Sequence, residues 1–227
     1  MKTKLCNDRM IDGTANAITH SYRSSDESRG DCRKDTIHPM FLQYVLLYFR
    51  RKFGRTNNRL IERYFSSHEI RKLHLGCETH VLDGWLNSDL FPGSEIVLQL
   101  DATEPFPFGD EEFDYIFSEH MIEHITYSQG LQMLFECYRV LKNNGKIRIS
   151  TPDLAFLIDL YNEEKSYLQK DYIKWSTDRH IRFAPGYDDT FVINNFVRNW
   201  GHQFIYDEKV LSASLQKVGF TKITRCE

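Results

Sequence analysis

The stretch Lys72-Leu-His-Leu-Gly-Cys-Glu78, followed by Trp85-Leu-Asn-Ser-Asp89, decides how this chain is read. An apolar strand running into a glycine turn, with an acidic residue ending the next strand, is how α/β proteins hold a nucleoside-bearing cofactor. The loop is sparse for that purpose. Gly76 is the one glycine in it, and Glu78 and His80 stand where further small residues are expected.

Three more strands are expected beyond Lys72–Leu75 and Trp85–Asp89, at Ile96–Leu100, Phe113–Ser118 and Lys146–Thr151. Their apolar, β-rich runs suggest a mostly parallel sheet buried on both faces. Leu131, Leu134, Phe135, Tyr138 and Leu141 fall at helical spacing and predict a helix from about Ser128 to Leu141, which Asn143-Asn-Gly145 ends. Further on, His202–Tyr206 reads as a strand, Asp207 as the cap of a helix over Glu208–Val218, and Phe220–Arg225 as a last strand.

The first two connections are short: nine residues, Gly76 to Gly84, and then six, Leu90 to Glu95. A parallel crossover that carries a helix generally needs about a dozen or more. The usual covering helices must therefore be truncated, and helices before the first strand are expected to cover that sheet face instead. Two such helices are expected within residues 39–70, one beginning at Pro39 and one over Asn58–Phe65.

Composition bounds the rest. At 227 residues, 41% apolar and 14% aromatic, the chain has material for one substantial core. Residues 1–38 are rich in Asp, Ser, Arg, Lys and Thr and poor in aliphatics, so they are expected to be a flexible tail, with residues 39–227 a single domain. A formal charge of -3 gives no field favouring polyanions, so no nucleic-acid partner is expected. Arg50, Arg51, Lys52 and Arg55 form a dense basic cluster, read as a solvated helix end. Five scattered cysteines without a C-x-x-C pair indicate neither a disulfide framework nor a thiolate metal site, and fit a reducing, cytoplasmic setting. The apolar run Met40–Phe49 is too short to span a bilayer, so no stable membrane insertion is expected.

These pieces in this order resemble a class I S-adenosylmethionine-dependent methyltransferase of the type 11 kind, common in bacterial small-molecule and cell-surface glycan pathways. The resemblance rests on Leu73-His-Leu-Gly-Cys77, Gly84-Trp-Leu-Asn-Ser-Asp89, Phe113-Asp-Tyr-Ile-Phe-Ser-Glu-His120, Arg139-Val-Leu-Lys-Asn-Asn-Gly145 and Pro152-Asp153. It implies a Rossmann-like sheet of about seven strands with the last antiparallel, helices on both faces, and S-adenosylmethionine as cofactor. At matching positions it implies that Leu75, Gly76, Cys77 and Glu78 form the cofactor loop. Asp89 and Leu90 would meet the ribose, Asp101 and Ala102 the adenine, and Ser118 and Glu119 the methionine part. The acceptor would be a small molecule or glycan precursor, taking the methyl on oxygen or nitrogen.

Physical reasons accompany each assignment. A side chain at Gly76 would fill space the cofactor needs. Asp89 lies 13 residues after Gly76 rather than roughly 20, which the shortened crossover accounts for. Asp101 reads equally well as a turn residue. A hydroxyl or protonated amine acceptor needs a base, for which His120, His124, His180, His202 and Asp153 are candidates. His120 is favoured as nearest the expected cofactor edge.

Residues 154–200 are expected to form a substrate lid, with most of the nine aromatic side chains from Tyr161 to Trp200 building an accessory core. No Asn-Pro-Pro-aromatic motif follows the fourth strand, so the resemblance to methyltransferases acting on DNA-base amino groups is poor. Two other readings stay open. Glu78, bulky and acidic in a loop that favours small residues, is consistent with a catalytically silent binding module. His120-Met-Ile-Glu-His124 fits the H-x-x-E-H spacing of inverted zinc peptidases, which also needs a third ligand from downstream. The site assignment itself includes no metal.

Overall fold

A computed structural model describes residues 57–226. The expected helix from Pro39, the basic cluster and the tail lie outside these residues. Helix α1 is described over 57–67 and leads into the strands β1 (Lys72–Leu75), β2 (Leu86–Asp89), β3 (Leu98–Gln99) and β4 (Phe113–Glu119). A single 3-10 turn, Ile122–His124, precedes α2 (Tyr127–Val140) and β5 (Leu141–Ser150). Four helices complete the chain: α3 (Leu154–Asp159), α4 (Tyr167–His180), α5 (Asp189–Arg198) and α6 (Glu208–Val218).

The strands form one five-stranded sheet in the order β3-β2-β1-β4-β5, every pair parallel. The order reverses between β1 and β4, whose carboxyl ends therefore open a crevice, the place where open α/β sheets bind ligands. Leu73, Leu75, Leu86, Phe113, Ile116, Ile147 and Ile149 are buried, as the apolar runs require.

Neither early crossover contains a helix. As expected, a helix before β1 takes over: Tyr64 of α1 is part of the core, with Ile61 and Phe65 packed beside it. Its hydroxyl accepts from Lys72 N at 2.8 Å and lies 3.0 Å from Lys72 O and 3.2 Å from Gly84 O. At the other end Asn57 donates to Gln99 O and accepts from Gln99 N, so α1 bridges from β1 to β3.

Several expected boundaries change. β3 shrinks to two residues because Ile96 faces solvent and Val97 N turns back to Ser94 O. β5 begins five residues early, at Leu141. Asn143-Asn-Gly145 does not end the helix, which stops at Val140, but forms a bulge within β5 between the pairs Phe113–Leu141 and Tyr115–Lys146. The sixth and seventh strands, and with them the antiparallel one, are not formed among the described residues. The segment 202–207 runs without a ladder and binds the 3-10 turn through Gln203 N and Phe204 N, both donating to Glu123 O. The run Phe220–Arg225 is broken by Lys222, which takes a left-handed backbone (φ 55°).

A second, smaller core lies under α3 to α5, built from Leu157, Leu160, Ile173, Ile181, Val192, Phe196 and Ile205. Tyr172, Phe191 and Phe196 join it, but Tyr161, Tyr167, Trp175, Phe183, Tyr187 and Trp200 are exposed. The expectation that most aromatics of this segment build an accessory core is thus corrected: the majority face solvent. Among the described residues no helix is long and apolar enough to cross a membrane.

Candidate active site at the carboxyl end of the sheet

The loop after β1 turns twice through left-handed backbone, at Gly76 (φ 69°) and at Glu78 (φ 46°). Cys77 between them is buried, and its amide reaches Ser88 O at 3.0 Å. Burial, with the nearby Asp89 charge adding to it, pushes its thiol up to about 11, so Cys77 supplies no thiolate at neutral pH.

Asp89 holds this loop from the next strand. One carboxylate oxygen accepts from Glu78 N at 2.8 Å and the other from Phe91 N at 2.9 Å. The left-handed turn at Glu78 is what aims that amide at the carboxylate. Each oxygen keeps further acceptor capacity for a ligand hydroxyl. The Glu78 side chain itself is exposed, which keeps its charge in water.

A non-glycine residue in the left-handed region costs about 1 kcal/mol. Glu78→Gly should therefore raise stability by about that amount, or roughly 2–4 °C in Tm for a chain of this size. Because the Glu78 side chain points to solvent, affinity for S-adenosylmethionine should change less than tenfold. Thermal melts and calorimetric titration check both; a larger gain in affinity would mean that Glu78 impairs the loop.

Gly76 serves a purpose beyond that anticipated. A Cβ there would lie 2.5 Å from Met121 Cγ and 2.8 Å from Met121 Cβ, so the residue excluding a side chain is Met121 of the segment after β4. Asp101, in the turn after β3, spends one oxygen on Thr103 N at 2.9 Å and Thr103 Oγ1 at 2.7 Å, the bonding of a turn residue. Its neighbour Ala102 packs on the main core. Leu90 is half-buried beside Asp89.

At the end of β4, Ser118 is wholly buried and its hydroxyl has no hydrogen-bond partner among the described residues. Such a group at a ligand-binding edge is what a polar ligand would satisfy. Glu119 lies 3.5 Å from His80 of the β1 loop.

His120 follows in a left-handed conformation (φ 46°), held by its amide to Ser150 O at 2.9 Å. Its Nδ1 lies 3.0 Å from Glu123 Oε1, and the other Glu123 oxygen accepts from Thr151 Oγ1 at 3.1 Å. Glu123 is fully buried. Sequence reasoning missed Glu123 and Thr151 as site residues. The signal was in the H-x-x-E-H string, though there it read as a metal helix. No such helix forms: His120 precedes the 3-10 turn, and His124 ends it.

The other base candidates separate clearly. Asp153 caps α3 through Ala155 N and pairs with Arg225 at 3.0 Å, a structural role. His180 sits edge-on between Trp175 and Trp200. His202 is brought to His124, their rings 4.9 Å apart, and donates Nδ1–H to Phe196 O at 2.7 Å. Burial holds its pKa below the ordinary imidazole value.

The left-handed loop, the doubly engaged Asp89 and the unsatisfied Ser118 hydroxyl suit a ribose-bearing ligand with polar groups at its far end. Residues 84–149, from the start of β2 to near the end of β5, match the family model described as a methyltransferase domain. Over these residues the chain is similar to a methyltransferase domain. The residues just described fit S-adenosylmethionine, the cofactor that this similarity implies. The matched span contains Asp89, Asp101 and the whole His120–His124 segment but not the β1 loop.

Among solved structures, the chain resembles an S-adenosylmethionine-dependent methyltransferase of Thermotoga maritima at 17% identity, covering 81% of each chain with a TM-score of 0.40. It also resembles one of Archaeoglobus fulgidus at 18% identity, covering 79% of this chain and 75% of that, TM-score 0.40. A third is the phosphoethanolamine N-methyltransferase 2 of Haemonchus contortus, complexed with S-adenosylhomocysteine, at 17% identity over 82% of this chain and 44% of that, TM-score 0.38. No curated protein matches. The assignment therefore rests on the family match and on the geometry of the site.

Proposed function

We propose that this methyltransferase acts on a hydroxyl or amine of a small molecule or glycan precursor, with His120 as the base. The observation that carries this reading is the chain His120–Glu123–Thr151 at the carboxyl end of β4. A buried carboxylate that accepts a hydrogen bond from one imidazole nitrogen fixes the ring's tautomer and stabilises its protonated form. Thr151 holds the carboxylate in turn.

S-adenosylmethionine supplies a methyl group already activated by its sulfonium. What the chain must do is bind, orient and take a proton. The β1 loop with Asp89 would hold the nucleoside, and Ser118 and Glu119 would meet the amino-acid part. His120 would accept the acceptor's proton as the methyl group moves.

A run of aromatic rings leading away from the Ile122–His124 turn would frame the acceptor. His124, His202, Trp200, His180 and Trp175 follow one another at centroid distances of 4.9 to 5.5 Å. Half-exposed aromatic faces of this kind suit sugars and flat rings, which supports the small-molecule or glycan class over a protein partner. The free thiols of Cys77, Cys137 and Cys226 agree with a reducing, cytoplasmic location.

Transfer from methyl-labelled S-adenosylmethionine to a panel of sugars, phenols and amines tests the proposal. With the acceptor found, His120→Ala should lower kcat by about 100-fold to 10,000-fold, while cofactor affinity stays within threefold. An unchanged kcat removes His120 as base. Cofactor binding without transfer to any class of acceptor supports a silent binding module.

A further inference from the structure

We propose that Glu123, His124 and His202 form a binding site for a divalent transition-metal ion, zinc foremost, beside the methyl-transfer site. One ligand atom from each, a carboxylate oxygen and two ring nitrogens, lies within 4.8 Å of the others. A tetrahedral ion with bonds of about 2.0 Å needs such atoms roughly 3.3 Å apart, so small side-chain rotations close the set. Two imidazoles and one carboxylate make a catalytic-type zinc shell with a fourth position left open.

Charge is the first reason. Glu123 is fully buried, and among the described residues no lysine or arginine pairs with it; its side-chain contacts are His120 and Thr151. A buried carboxylate calls for a cation nearby. The second reason is the outer hydrogen bonding. By donating Nδ1–H to Phe196 O, His202 keeps its lone pair on Nε2, the arrangement in which metal-binding histidines are normally held. Thr151 likewise orients Glu123 from behind.

The two chain segments are also laced together where the ligands meet. Gln203 N donates to Glu123 O at 2.8 Å, and the Gln203 side chain donates to His124 O at 2.8 Å. Trp200 (φ 57°) and Gly201 (φ 77°) are successive left-handed residues that turn the chain out of α5 and deliver His202. Holding a tryptophan there costs backbone strain, and the result is His202 placed against His124.

The ion's open position would take an acceptor hydroxyl and lower its pKa; this part rests on the methyl-transfer reading. The acceptor O–H bond then breaks, its proton passing to His120. The oxygen's electron pair forms the new bond to the methyl carbon as the carbon–sulfur bond breaks, its electrons staying on sulfur.

The binding claim is tested with metal alone, so its failure is separate from failure of the methyl-transfer reading. Chelator-stripped full-length protein, titrated with Zn2+ by calorimetry and with Co2+ by visible absorption, should bind one ion and show tetrahedral cobalt bands. His124→Ala and His202→Ala should each weaken binding by at least about 100-fold. No saturable binding by the wild type, or undiminished one-site binding by the folded double variant, overturns the proposal. Should the variants fail to fold, long-range proton–nitrogen spectra of the wild-type histidine rings decide. Metal-dependent shifts of the His124 and His202 nitrogens support the site, and their absence overturns it.

Discussion

Asp89→Ala is expected to weaken S-adenosylmethionine binding at least 100-fold in calorimetric titration, a loss of about 2.7 kcal/mol. Two effects combine. The carboxylate is the acceptor for Glu78 N at 2.8 Å and Phe91 N at 2.9 Å, so its removal leaves the β1 loop without the bond that sets its left-handed turn. It is also the group at the end of β2 proposed to accept the ribose hydroxyls. Hydrogen bonds to a charged acceptor are worth about 1.5–3 kcal/mol each, so losing those to the ligand alone accounts for the expected effect. Asp89→Asn should fall between, since one oxygen survives and the new amide group can only donate. If the alanine variant binds within threefold of wild type, the ribose assignment is wrong. Loss of binding with an unchanged Tm would assign the effect to direct contact; loss with a fall of several degrees would assign part of it to the loop.

What the sequence shows of this fold is what local patterns can encode. β1, β2 and β4 stand out because their apolar residues enter a sheet buried on both faces; β1 runs into Gly76, and β2 and β4 end in the acidic Asp89 and Glu119 at the ligand edge. Counting residues between Leu75 and Leu86 was enough to exclude a crossover helix and to send α1 to cover the sheet. Where tertiary contacts override local pattern, the reading fails. Asn143-Asn-Gly145 has turn chemistry, yet β4 recruits both sides of it into one bulged strand. His202–Tyr206 alternates like a strand, but its first amides bond the 3-10 turn through Glu123 O instead of a neighbouring strand.

The site divides in the same way. Asp89 and Ser118 were legible from their places at strand ends, as Asp101 was, although its oxygen turns out to serve Thr103. His120 was legible from its place after β4. Its partner Glu123 was not, because a carboxylate three residues away becomes a partner only once the left-handed backbone at His120 folds the ring back over the turn. His202 reaches His124 only through the docking of 202–204 on the 3-10 turn, a contact with no sequence signal.

Gly76→Ala is expected to destabilise the protein by roughly 2–4 kcal/mol, lowering Tm by on the order of 10 °C. About 1 kcal/mol comes from forcing a Cβ into left-handed backbone at φ 69°. Another 1–3 kcal/mol comes from overpacking, since the new Cβ would sit 2.5 Å from Met121 Cγ and 2.8 Å from Met121 Cβ. The second part should be recoverable. In a double-mutant cycle with Met121→Ala, the two substitutions should couple by about 1–2 kcal/mol, the pair being less damaging than the sum of the singles. Strict additivity would show that Met121 is not the obstacle. Cofactor binding by the relieved double variant then separates two reasons for a glycine at this turn. If stability returns and S-adenosylmethionine binds, the glycine serves the packing of β1 against the segment that carries His120. If stability returns and binding does not, the space above Gly76 belongs to the cofactor as well, and Met121 must give way when it binds.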